Sequence, residues 1–231
     1  MIKLNGLLFI IFIFTAISFA DGASIKTTIT GDEMEVRKAG EITILKGNSK
    51  VVSDQNAITA HRIIYDKKNS VLSAFDHVML SSKMQDGRQF EIHGSFAHYY
   101  INDKKGKFWG DNTTAKYFMQ NNSSPPFTLN AQEIYIDRNL EVLNAYNDVV
   151  VTATGGTIYS DNVAFNGKTF NAVFQKYEKR PVVDISYNDN KGYYEADEIV
   201  FQGSDGDKKI IMNGSVTGKI KMEDKHNDIK N

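Results

Sequence analysis

What most constrains this 231-residue chain is a short pattern that recurs six times: apolar, any residue, small, two positions, apolar, any residue, apolar or aromatic. The copies are Ile29/Gly31/Met34/Val36, Ile58/Ala60/Ile63/Tyr65, Ile92/Gly94/Ala97/Tyr99, Leu129/Ala131/Ile134/Ile136, Ile158/Ser160/Val163/Phe165 and Tyr194/Ala196/Ile199/Phe201. Their small residues stand 29, 34, 37, 29 and 36 positions apart. Self-similarity at a period of roughly 30–35 residues marks a repeat architecture, in which each unit is one supersecondary motif stacked on the next. Repetition of that kind directs function to a long surface or groove rather than to one catalytic pocket.

Within each copy the first two marked positions are two apart, and so are the last two, which is the strand period. The spacing between the pairs is three, so the parity flips. A regular strand cannot show both pairs on one face, whereas a β-bulge or sharp bend at the small residue can, and Gly or Ala suits close backbone approach there. The next position is polar in every copy: Asp32, His61, Ser95, Gln132, Asp161 and Asp197. These six side chains are expected to satisfy backbone groups released from the ladder at the bend. Spread along a repeat, they cannot converge on one reacting atom.

A second half-motif, a small residue with an apolar one four later, follows at Gly47/Val51, Ala74/Val78 and Ala145/Val149, the last two continuing to Leu80 and Val151; Gly214/Val216 fits loosely. Turn-forming clusters such as Asp66-Lys67-Lys68-Asn69, Asn102-Asp103-Lys104-Lys105-Gly106 and Asn188-Asp189-Asn190-Lys191-Gly192 lie between the segments, as hairpin connections do. Each unit therefore reads as strand, turn and return strand. No helical stripe competes with the alternation, and the chain is expected to be all-β.

The first residues read as a secretory signal. Met1-Ile2-Lys3 is a short basic start, Gly6 to Ala20 is nearly all apolar, and Ser18-Phe19-Ala20 offers small residues for cleavage before Asp21. The alternative is an uncleaved anchor, although the run is shorter than the ~20 residues of a membrane span. The expected organisation is a signal segment at 1–20, one β-domain at 21–222 and a polar, disordered tail at 223–231. A long insertion falls around Lys116–Pro126. A formal net charge of −1 leaves no basic footprint for nucleic acid. Absence of Cys in an exported chain excludes a small disulfide-stapled domain.

Sites for chemistry are sparse. The histidines are His61, His77, His93, His98 and His226, without a metal-ligand spacing; a bend between His93 and His98 would leave both on the polar face. No phosphate loop or nucleophile elbow occurs, so neither catalysis, metal nor cofactor is expected. Trp109, the single Trp, is read as packing at a strand end.

The apolar inventory is more informative. Two facing sheets would bury the apolar side of every strand, and if they stay apart along one edge, their interior becomes a trough. Periodicity alone does not separate a trough from a closed core. The inward set in the second unit is Ile58, Ile63 and Tyr65, with Val78 and Leu80 on its return strand. Ile92 follows in the third unit. Leu129, Ile134 and Ile136 belong to the fourth, with Val149 and Val151 returning. Val163 and Phe165 belong to the fifth, and Ile199 and Phe201 to the sixth.

The units, seen in Asn56-Ala57-Ile58-Thr59-Ala60-His61-Arg62-Ile63-Ile64-Tyr65-Asp66 followed by Ala74-Phe75-Asp76-His77-Val78-Met79-Leu80, resemble the OstA-like repeat of the lipopolysaccharide-transport family. That repeat runs apolar-x-Ala-Asp-x-x-x-Tyr, a turn, then a small or polar residue leading into Val-x-apolar. The resemblance spans residues 28–222 and rests on six-fold recurrence; His61 and Ser95 stand where the family often has Asp, and Ser160 where it often has Ala. It implies a slightly open antiparallel β-jellyroll of about six repeats whose inward residues hold the acyl chains of lipopolysaccharide. It further implies edge-strand pairing with LptC-like and LptD-like proteins, or head to tail with copies of itself, in a periplasmic bridge between the inner and outer membranes. A cleaved signal fits an LptA-like bridge, an attached one an LptC-like anchored component. A parallel β-helix, as in an adhesin, and a closed-core scaffold without lipid are the remaining alternatives.

Overall fold

A computed structural model describes residues 27–53, 55–84, 86–118, 126–153, 156–187, 190–203 and 208–221. The expected signal segment and tail lie outside them, as does most of the insertion in the third unit. Sixteen strands form one sheet: β1 (Thr27–Thr30), β2 (Glu33–Arg37), β3 (Ile42–Ser53), β4 (Asn56–Asp66), β5 (Val71–Lys83), β6 (Gln89–Tyr100), β7 (Lys105–Phe118), β8 (Phe127–Asp137), β9 (Val142–Ala153), β10 (Gly156–Asn166), β11 (Asn171–Gln175), β12 (Val182–Tyr187), β13 (Asn190–Glu195), β14 (Glu198–Gly203), β15 (Lys208–Asn213) and β16 (Thr217–Lys221). Every pairing is antiparallel, which rules out the parallel β-helix.

The parity flip has a physical counterpart. From β3 to β10 each ladder slips in mid-strand, between Lys46 and Ser49, Thr59 and Arg62, Phe75 and Val78, His93 and Phe96, Trp109 and Thr113, Asn130 and Glu133, and Ser160 and Asn162. At both ends of the sheet the interruption is complete. β1 and β2 pair with the two halves of β3, and β11 and β12 with the two halves of β10. In the same way β14 and β13 continue to β15 and β16. Twelve bent strands thus make six hairpins, one per repeat, and the corners line up into a fold that divides the sheet into two arms. The first arm carries β1, β12, β13 and β16, the second β2, β11, β14 and β15; each long strand contributes one half to either.

Two kinds of corner alternate. In the first strand of a hairpin the corner is the small residue and its polar neighbour. In the return strand it is built of left-handed residues: Gly47 (φ 63°) with Asn48 (φ 40°), Asp76 (φ 62°) with His77 (φ 54°), and Asn147 (φ 65°) with Asp148 (φ 52°). Asn, Asp and His tolerate this region better than other non-glycine residues. The left-handed pair turns the chain through the corner inside the second half-motif, between residues such as Ala74 and Val78 that are both buried. Gly47 is needed twice over, since a Cβ there would also run into the Asp32 carboxylate of the neighbouring corner. Gly214/Val216 departs from the motif: Gly214 is itself a corner (φ 85°), and Val216 beyond it is exposed.

Of the six polar corner residues expected to satisfy backbone groups, Asp161 and Asp197 do so, Asp32 and Gln132 bond side chains instead, and no such bond is made by the His61 or Ser95 side chain among the described residues. Asp161 Oδ2 accepts the backbone N–H groups of Glu178 and Lys179 at 3.1 and 2.6 Å, and Asp197 Oδ2 accepts that of Ser215 at 2.9 Å. Asn48 Nδ2 donates to Asp32 at 3.0 Å and Gln132 Nε2 to Asp148 at 2.6 Å. Each bond fixes one corner against the next along the fold.

Candidate functional site

The apolar faces of the two arms meet, and between them lies one interior running through all six repeats. Ile58, Val78, Leu80, Ile92, Leu129, Val149 and Val151 enter it from the first arm; Ile63, Ile134, Ile136, Val163, Phe165, Ile199 and Phe201 enter it from the second. All fourteen are buried. Tyr65, the fifteenth expected lining residue, is half-buried beside Leu72 on the second arm. The interior also holds residues absent from that set: Phe108 and Phe174, both fully buried, and Tyr99, Tyr117, Phe127 and Phe170. Alternation along β7 and β11 carried a signal for the first two.

Opposite the corners, the hairpin turns of the two arms approach each other and form the mouth of the interior. Side chains close it. Arg88, from the turn between β5 and β6 on the first arm, donates to the hydroxyl of Tyr117 at 2.7 Å and reaches across to the Gly167 carbonyl and to Glu141 at 3.3 Å on the second; Asp86 holds it from its own turn. Tyr117 also donates to the Gly167 carbonyl at 3.1 Å. Beneath them Phe127 stacks on Phe165 (centroids 4.7 Å apart, planes 17° apart), Phe170 packs edgewise against both rings, and Phe201 lies edgewise to Phe170 and tilted to Phe127. Further along, Arg138 of the second arm lies over the Phe90 ring of the first at 5.0 Å and donates to Ser82. Beyond it a narrow cleft of about 20 Å³ separates Val51 and Ile58 from Leu72 and Tyr99. The slight opening expected along one edge thus amounts to no more than this hollow, about the room of one water, and the middle of the mouth is latched shut.

Burial pushes the phenols of Tyr99 and Tyr117 up to about 12. A phenol that ionises at about 10 in the unfolded chain keeps its proton longer in the folded one, so its contribution to stability is intact below pH 10 and is lost as pH rises towards 12. The melting temperature is expected to fall steeply between pH 10 and 12. A Tyr99→Phe/Tyr117→Phe double variant should start lower and fall less over the same range; parallel curves would show that other groups dominate alkaline unfolding.

The outer surface is polar and aromatic. Phe75, Phe96 and Trp109 occupy facing positions on β5, β6 and β7, with Phe96 and Trp109 stacked at 5.8 Å and Lys107 lying against Trp109 and Tyr135. Trp109 sits at the mid-strand corner rather than at a strand end. His93 and His98 both face outward, beside Glu91 and Ser73 respectively. A hollow of about 390 Å³ along the corner line is lined by Asp76, His77, His93 and Asp111; among the described residues no three His, Cys, Asp or Glu are placed to hold a metal ion. No helix among them is long and apolar enough to cross a membrane.

A search of solved structures finds LptH, the LptA-homologous periplasmic component of the conserved lipopolysaccharide transport device from Pseudomonas aeruginosa. This chain is similar to LptH. Sequence identity is 15%, the TM-score is 0.45, and the match covers 52% of this chain and 82% of LptH. No family model matches the chain, and no curated protein matches it.

Proposed function

We propose that this chain is a periplasmic, non-enzymatic lipopolysaccharide carrier of the OstA-like type, an LptA-like segment of a bridge that passes acyl chains from one membrane to the other. The observation that carries this reading is the single apolar interior shared by all six repeats, with the middle of its mouth closed by side chains rather than by backbone. An acyl chain gains about 0.8 kcal/mol for each CH₂ kept from water, so carriage through an aqueous space requires a shield along the route. A mouth held by side chains can part without breaking the sheet.

The ends of the molecule support assembly. Among the described residues β1 and β2 at one end, and β15 and β16 at the other, are paired on one side only, and such edges are templates for another chain. At the first end the second arm runs on uncovered: β2 is wholly exposed, with Met34 and Val36 on its surface. At the other end Thr217–Lys219 of β16, on the first arm, is uncovered. The two overhangs are complementary, so a head-to-tail copy, or an LptC-like or LptD-like partner of the same shape, would cover both and continue the interior.

Photo-crosslinking from the interior tests the carrier reading. A crosslinking residue at Ile63, Ile92 or Ile134 is expected to capture lipopolysaccharide in cells, while one at exposed Tyr159 is not. Well-folded, abundant protein that yields no lipid adduct from any interior position would overturn it.

A further inference from the structure

The corners of the six repeats are not alike. In the first, fourth, fifth and sixth, the polar side chain of one corner is bonded to the corner that follows it, whereas in the second and third it is not. The third return corner also carries an extra residue. Two residues separate the paired halves of β3, β5 and β9, namely Gly47 and Asn48, Asp76 and His77, or Asn147 and Asp148. Three, Gly110, Asp111 and Asn112, stand between Trp109 and Thr113 of β7. Gly110 (φ 116°) lies so close to Ser95 that a Cβ would overlap that side chain. The Thr113 hydroxyl donates to the Gly110 carbonyl at 3.0 Å, and that of Thr114 to the Asn112 carbonyl at 3.1 Å. Backbone and threonines therefore hold this corner, and the side chains of Asp111 and Asn112 stand exposed.

The hollow of about 390 Å³ lies where these two corners adjoin. Asp76, His77, His93, Ser95, Asp111 and Asn112 line it, over Val78 and Gly94. Its volume falls among those of small-molecule sites, about 300–1,000 Å³. A metal ion does not suit it, since among the described residues no three side chains are placed to hold one. An anion does not suit it either, because two carboxylates face the hollow. An ammonium would meet those carboxylates and leave the amide, hydroxyl and imidazoles unused. What the lining offers is a mixture: carboxylates that accept, and an amide, a hydroxyl and two imidazoles that both accept and donate. On the side of the second arm the adjoining ladder row is Phe75, Phe96 and Trp109, so an aromatic shelf stands beside a polar hollow.

We infer that this hollow binds a neutral hexopyranose unit of a glycan. Vicinal hydroxyls, each both donor and acceptor, match the mixed lining. Asp76 and Asp111 accept from them, while Ser95 and Asn112 donate to ring or linkage oxygens. The C–H face of the sugar turns to the aromatic row. Because the hollow opens on the outer surface, apart from the interior, the inference stands independently of the carrier reading.

The test titrates the whole chain with neutral trisaccharides (maltotriose, cellotriose, mannotriose and triacetylchitotriose) at millimolar concentrations, with trigalacturonate and spermidine as charged comparators. The imidazole C–H signals of His77 and His93 report on the hollow, and that of His98, which faces Ser73 farther along β6, is the control. At least one neutral trisaccharide is expected to move His77 and His93 but not His98, with a dissociation constant of about 1 mM or tighter. Asp76→Asn/Asp111→Asn removes both charged acceptors, and Asn tolerates the left-handed backbone at position 76. This variant should bind about tenfold more weakly, with its melting temperature and its uptake of a dansyl-alkyl probe unchanged; should it not fold, Asp111→Asn alone makes the comparison. The inference is overturned if none of the four sugars moves the two signals, if trigalacturonate moves them equally, or if the folded variant binds as the wild type does. Movement by spermidine and by no sugar would mark a cation site and overturn it as well. Dansyl-alkyl uptake reads the carrier function separately, so either reading can fail alone.

Discussion

Replacing Ile134 by Asp is expected to leave no folded protein at 37 °C. Ile134 lies fully buried in the second arm, flanked on its sheet by Phe108 and Ala145. Removing its methyl groups forfeits about 2–5 kcal/mol. Confining a carboxylate without a partner adds several more. Their sum approaches the ~5–15 kcal/mol that holds a whole domain together. Ile134→Val, which keeps the shape and one methylene less, should cost only about 1 kcal/mol. Soluble yield and a circular dichroism melt separate the two outcomes. An Asp variant that melts cooperatively within a few degrees of wild type would mean that residue 134 faces water and that the inward set is wrong.

The second large effect is expected from Arg88→Ala. It unlatches the mouth by removing at once the donor to Tyr117, the donor to the Gly167 carbonyl and the partner of Glu141 and Asp86. Breaking one side of a buried ion pair costs about 3–5 kcal/mol; Arg88 keeps a fifth of its side-chain surface in water, which brings the figure down to about 2–3 kcal/mol. At about 2–4 °C for each kcal/mol in a domain of this size, the melting temperature should fall by roughly 5–10 °C. The ladder is untouched, so far-ultraviolet dichroism should be unchanged at 25 °C, while a dansyl-alkyl probe should enter faster than in the wild type. A lower melting temperature with unchanged uptake would show that Arg88 is a structural clamp and not the closure of the interior.

Much of the fold was legible because it is written locally. The spacing of three inside each copy specified a bend, and the ladders slip within a residue or two of Ala60, Gly94, Ala131 and Ser160. Alternation alone placed Ile92, Leu129 and Val151 inward. The split of β11 from β12, with a corner at 176–181, was not legible, since that return strand lacks the small-and-apolar half-motif. Nor was the mouth. Arg88 meets Gly167 across 79 positions and Arg138 meets Ser82 across 56; Arg88, Gly167 and Arg138 lie in the connections between strands, where no periodicity marks a facing. Which turn meets which depends on how far twist carries one arm past the other, a property of twelve accumulated strands. Local pattern therefore disclosed the lining of the interior and left its closure unseen.

The line of corners has a mechanical meaning. A continuous sheet resists being opened because every ladder bond across the tear must break together. Here the ladder is already interrupted along a single crease, and the crease is stitched by side chains such as Asp161 and Asp197 that hold neighbouring corners in file. A force that parted the two arms at the mouth would therefore bend the molecule along this spine, where fewer ladder bonds stand in its way.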